Sequence, residues 1–214
     1  MKDSKSLLKI LDSPYLEKIF NEGDIENFHW ITNNFFIEYD YKEISNISII
    51  NNSLVDESCL LRGKIVISEN VKIGRNVRMI GNIFIDKNVV IPDDCFIRGN
   101  CFLGESSKLG RSVELKDAII LNNSMIGPLS FIGDSLIGSK CFLGALVRTS
   151  NLRLDEKNIF LRIDDWHIKM GLNFGSIIGT NSVIGLQTSI MPGRAIYKSS
   201  KIAPNSIFIS HAKK

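Results

Sequence analysis

The chain has 214 residues, 44% of them hydrophobic and 23% charged, with a formal charge of +3, a composition that suits an ordinary soluble globular protein with one substantial domain. No apolar stretch approaches the roughly 18 residues that cross a bilayer, and so mild a charge, with no Lys/Arg cluster or arm, excludes an electrostatic footprint for nucleic acid. Met1 to Ile10 mix Lys2, Asp3, Lys5 and Lys9 among apolar positions and lack the apolar core and cleavage site of a secretory signal, so a cytoplasmic setting is expected, with no membrane partner.

Residues 1–46 read as a helical N-terminal cap. Leu7, Leu8, Ile10 and Leu11, then Tyr15, Leu16, Ile19 and Phe20, fall at helical spacing, with Ser13-Pro14 between them as a cap and a favoured first-turn residue. Two short helices are predicted, the second ending near Gly23. Phe28, Trp30, Phe35 and Phe36 then need burial, either by sealing the open end of a repeat domain that begins near residue 47 or by contacting a partner.

Residues 47–210 carry an internal repeat. An aliphatic residue returns every six positions through Ile49, Val55, Leu61, Ile67, Ile73, Met79, Ile85, Ile91, Ile97, Leu103, Leu109, Leu115 and Leu121. Two steps then shorten to five residues, Leu121 to Ile126 and Ile132 to Ile137, and the period resumes with Ile178, Ile184, Ile190, Ile196 and Ile202. Neither a helix nor an alternating strand has this period. It predicts an all-β solenoid, a parallel β-helix in which three hexads close one three-sided coil of 18 residues and coils stack at about 4.8 Å, the ordinary strand spacing. Gly follows the aliphatic residue repeatedly, as in Ile73-Gly74, Leu109-Gly110 and Leu143-Gly144, where a sharp corner is expected to favour a residue without Cβ. Cys59, Cys95, Cys101 and Cys141 each lie four residues after a repeat aliphatic, in the slot that Val71, Val77 and Val89 fill elsewhere. Inward packing as small hydrophobes is their reading. With no C-x-x-C spacing, neither a disulfide framework nor a metal site is predicted.

From about 148 to 172 the hexad period stops. This arm holds Leu152, Leu154, Ile159, Phe160, Leu161, Ile163 and Trp166, too much apolar surface for a solvated loop. It is expected to fold back on the β-helix or, preferentially, to reach a neighbouring subunit.

Beyond the period, particular residues carry information of their own. Ile97-Arg98-Gly99-Asn100, Val113-Glu114-Leu115-Lys116, Gly127-Pro128-Leu129-Ser130-Phe131-Ile132-Gly133-Asp134-Ser135, Leu143-Gly144-Ala145 and Ser150-Asn151-Leu152-Arg153 resemble, in order and spacing, a known acetyltransferase domain. It is that of the bifunctional glucosamine-1-phosphate acetyltransferase / N-acetylglucosamine-1-phosphate uridylyltransferase and its standalone relatives, hexapeptide-repeat acyltransferases. The resemblance covers about residues 50 to 207. It implies a left-handed parallel β-helix, an exception to the right-handed crossover rule, assembled as a homotrimer with sites between subunits. It also implies acetyl-CoA as co-substrate and an amino-sugar phosphate or nucleotide sugar as acceptor. The nucleotide-binding half of those enzymes has no counterpart here, so a separate nucleotidyltransferase is a candidate partner.

By the same resemblance, Arg98 and Lys116 hold phosphate, a task for which a planar fork and a compact charge are suited. Phe131 stands at the substrate, while Ala145, Asn151 and Lys157 fall in the acyl-donor region. The family's catalytic His position is Pro128, which cannot accept a proton. Phe131 replaces a Tyr, Phe142 an Asn, and Leu146 the second glycine of a Gly-Ala-Gly element. A general base is typically worth about 10² to 10⁴ in rate, so family-type chemistry is expected to be slow or absent unless another group substitutes. His167 on the arm is the one nearby candidate. Two functions therefore stand side by side, an acyl-CoA-dependent acetyltransferase and a catalytically inactive trimer that binds a sugar phosphate or a partner.

Overall fold

The computed structural model describes residues 47–50, 52–163 and 166–209; the predicted helices and aromatic cap of residues 1–46 lie outside the described residues. The chain winds as a left-handed parallel β-helix, and none of the described residues is helical. One face is an eight-stranded parallel sheet of two-residue strands such as Lys72–Ile73, Lys108–Leu109 and Phe142–Leu143. A 13-stranded sheet wraps the other two. In the early coils one long strand crosses both of these faces, as in Leu60–Ile67, Arg78–Ile85 and Phe96–Leu103, and bends at Gly63, Gly81 and Gly99, whose φ values are +114°, +136° and +78°.

The hexad aliphatics form the interior. Ile73, Ile91 and Leu109 are at most 4% exposed, and they belong to one continuous core running from Ile65 to Ile196. Burying each such side chain stabilises by about 1.5–3 kcal/mol before chain entropy is subtracted. The register corrects one member of the predicted column. Ile120, not Leu121, pairs with Leu103 below and Ile137 above, so the first five-residue step runs from Leu115 to Ile120. Leu121 is buried in a second core outside the coil.

The cysteine slot packs inward as predicted. All four thiols are free, and Cys95 and Cys141 donate Sγ–H to the carbonyls of Gly110 and Gly179 on the next coil, at 3.3 and 3.1 Å. Ser124 occupies the same slot and donates Oγ–H to the Gly138 carbonyl at 2.6 Å. Burial pushes the thiols up, Cys95 and Cys141 to about 11 and Cys101 to about 12.

The glycines after the aliphatics serve a different purpose from the one predicted. The left-handed corner residue comes two positions later, as in Asn76, Ser112 and Leu146 at φ 57°, 57° and 62°. What Gly74 needs is clearance, since a Cβ there would lie 2.3 Å from the Asp93 carboxylate on the next coil.

The arm takes the first of its two expected courses. Ile159–Ile163 and Trp166–Gly171 form an antiparallel hairpin that folds back on its own β-helix. The reason lies in strand alternation: Ile159, Leu161 and Ile163 share one side, which is buried, while Phe160 and Arg162 face outward. With Met170, that side packs with outward-pointing Phe102, Ile119, Leu136, Ile177 and Ala195 into the second core.

Candidate functional site

The two shortened steps make the site. In the early coils the bend is a glycine, but at the five-residue steps Asp117 and Asp134 take the corner with φ 47° and 44°. Asp tolerates this region better than most residues because its short side chain bonds local backbone. Asp117 Oδ1 accepts the Asn100 N–H at 2.9 Å, one coil back. The Gly99 Cα lies so close to the Asp117 carboxylate that a Cβ there would sit 2.3 Å from Oδ1.

Residues flanking each inward aliphatic point outward, and the ladder stacks them. Arg98 lies beside Lys116, and Lys116 beside Gly133; Phe96, Glu114, Phe131 and Arg148 form the neighbouring column. Arg98 donates from Nε and Nη2 to Glu114 Oε1 at 2.9 and 2.8 Å. Lys116 Nζ donates to Asp134 Oδ2 at 2.8 Å and lies 3.4 Å from Asp117 Oδ2. Asn151 Nδ2 donates to the same Asp134 oxygen. The Asp134 side chain is fully buried and that of Lys116 is 22% exposed. Asn151 and Gly175, where the arm leaves and rejoins the coil, are pinned here: the Phe174 N–H bonds the Asn151 carbonyl and the Gly175 N–H the Asp134 carbonyl, at 3.0 and 2.9 Å. The Phe131 ring and the Asn151 amide both lie against Gly133, within 2.7 and 3.2 Å of where a Cβ would be.

Of the residues singled out from the sequence, Arg98, Lys116, Phe131 and Asn151 thus share one face. Pro128 is exposed at a corner, followed by Leu129 at φ 59° and stacked one coil below Ala145 and Leu146, the latter at φ 62°. Leucine is uncommon in this region, and exposed Phe142 and Met125, paired on the adjoining face, extend the apolar surface. Lys157 lines a separate depression of about 540 Å³ at the arm root with Arg153, Leu152 and Leu172. His167 lies on the exposed side of the hairpin opposite Arg162, turned away from its own coil. Among the described residues no group of three potential ligands could hold a metal.

Sequence reasoning did not assign roles to Glu114, Asp117 and Asp134, the carboxylate partners of the two cations. Their signal is arithmetic. Arg98 and Glu114 are 16 residues apart and Lys116 and Asp134 are 18 apart, diagonal neighbours on adjacent coils in each case.

Among known families, the GMPPB C-terminal domain family matches residues 79–160. The uncharacterized acetyltransferase YaiX of Escherichia coli is 37% identical over 173 residues, covering 80% of this chain and 74% of that protein. The bifunctional protein GlmU of Methanococcus aeolicus is 40% identical over 97 residues, 45% of this chain. The match spans only 24% of that relative's length. Among solved structures, a mutant GDP-perosamine N-acetyltransferase from Caulobacter crescentus, bound to CoA and GDP-perosamine, aligns at 21% identity with a TM-score of 0.45, covering 58% of this chain and 62% of that one.

Proposed function

Because the chain belongs to the hexapeptide-repeat acyltransferase family, we propose that it binds an amino-sugar phosphate or nucleotide sugar on the Arg98–Lys116–Asn151 face, within a homotrimer, and lacks the family's His-based proton removal. The observation that carries this reading is the network itself. Arg98, Lys116 and Asn151 are held in place by Glu114 and Asp134, as a preorganised polar site requires, while the position of the proton acceptor is taken by Pro128. Each carboxylate of the face has a partner: Glu114 Oε1 accepts from Arg98, Asp134 Oδ2 from Lys116 and Asn151, and Asp117 Oδ1 from the Asn100 N–H, while the buried Asp134 Oδ1 has none among the described residues.

A second reading, acetyl transfer with acetyl-CoA as co-substrate, is favoured by the acetyltransferase name of the relative that matches along most of its length. It needs a base from elsewhere, and under this reading His167, exposed on the hairpin, acts on a neighbouring subunit's site. Following free thiol from acetyl-CoA and glucosamine 1-phosphate decides between the two. The binding reading expects no release above background, with saturable binding of the sugar phosphate in the same sample; turnover abolished by His167→Ala would establish the enzyme instead.

A further inference from the structure

We infer that Arg78 is a specificity-determining contact of this site, fitting it to a nucleoside diphosphate sugar in preference to a sugar 1-phosphate. The inference rests on the sugar-phosphate reading above and narrows its substrate class. Charge is the starting point. Arg98 and Lys116 bring two positive charges to the face and Arg148, in the neighbouring column, a third, against the three carboxylates of Glu114, Asp117 and Asp134. A phosphate arriving there meets cations already balanced by carboxylates.

Arg78 changes that balance. The ladder sets it directly beneath Phe96, with Arg98 leaving the same strand two residues further on. Its guanidinium carbon lies 4.4 Å from the Phe96 ring centroid, and that of Arg98 lies 5.7 Å from the same centroid. The two arginines therefore flank one ring from adjacent coils, which are about 4.8 Å apart. They differ in one respect. Arg98 is neutralised by Glu114, whereas Arg78 has no carboxylate partner among the described residues and is held by the ring face alone, a contact worth about 0.5–1 kcal/mol at an exposed site.

An exposed guanidinium that lies against a ring and has no carboxylate partner among the described residues is suited to a planar, bidentate phosphoryl contact. Adjacent phosphoryl groups of a diphosphate can each meet one guanidinium, the second through the N–H groups that Arg98 does not give to Glu114. A monophosphate seated on Arg98 and Lys116 has no second phosphoryl group to offer Arg78, which leaves the strand one coil further down. Arg78 thus adds affinity for the diphosphate and little for the sugar 1-phosphate, which Lys116 and Arg98 contact on their own.

The test is calorimetric titration of the full chain and its Arg78→Ala, Arg78→Lys and Arg98→Ala variants with UDP-N-acetylglucosamine and with N-acetylglucosamine 1-phosphate, thermal melts confirming that each variant is folded. The unaltered protein is expected to bind the UDP-sugar about tenfold more tightly, and Arg78→Ala to remove that advantage while changing sugar 1-phosphate affinity by less than about threefold. Arg78→Lys, which keeps the charge and loses the fork, should retain part of it. Equal affinity for the two ligands, or an Arg78→Ala variant that binds the UDP-sugar unchanged or loses both equally, overturns the role of Arg78 alone. Failure of both ligands to bind the unaltered protein overturns the sugar-phosphate reading and this inference with it.

Discussion

Asp134 holds two side chains with one carboxylate oxygen, and the face depends on it more than on either cation. Removing one partner of a buried ion pair strands the other, at about 3–5 kcal/mol; with Lys116 22% exposed, the lower end applies. Asp134→Ala is therefore expected to lose about 3 kcal/mol in denaturant unfolding and to weaken sugar-phosphate binding together with it, while Asp134→Asn, which keeps the shape, should recover part of the stability. The buried cysteines act at the same scale through pH. Their folded values of about 11 to 12 lie above the ordinary 9.0, so the folded state keeps protons that the unfolded chain releases. Their stabilising contribution is complete below pH 9 and is lost as pH rises through 11 to 12. Unfolding midpoints should fall over that window, and the fall should be smaller in Cys101→Ala; a thiol reagent at neutral pH should modify half-buried Cys59 before the other three.

Among the elements, the glycine bends and the hairpin set the geometry. Gly81 combines φ +136° with a neighbouring carbonyl, that of Gly99, only 2.2 Å from where a Cβ would be. Gly81→Ala must shift backbone as well as adopt a strained conformation, so a loss of about 3 kcal/mol is expected in thermal or denaturant unfolding, whereas Gly171→Ala meets no atom within 4 Å and should lose less. The hexad column was legible because a six-residue period belongs to no other regular structure. The error of one residue at Leu121 arose where Ile119, Ile120 and Leu121 are consecutive apolar residues and the period cannot say which faces inward. Alternation in Ile159, Leu161 and Ile163 marks a strand, yet the surface that receives it, Phe102, Ile119, Leu136 and Ile177, is assembled from four coils and has no local signature.

For the whole molecule, stacked coils turn sequence separation into spatial adjacency, and this explains what the sequence shows of the site. Arg98, Lys116, Phe131 and Asn151 could be named by resemblance. Their carboxylate partners, and Arg78, become visible only when the coils are counted to bring residues 16 to 18 apart side by side. The same construction gives a face on which two cations stand among three carboxylates, next to a corner where Pro128 and two left-handed leucines stand. The central claim is that this face still binds a sugar phosphate, and titrating N-acetylglucosamine 1-phosphate into the unaltered protein and into Lys116→Ala tests it most directly. Saturable binding weakened about tenfold or more by Lys116→Ala, as expected for loss of a charge-assisted contact, is the predicted result; binding that is absent, or indifferent to Lys116, would contradict it.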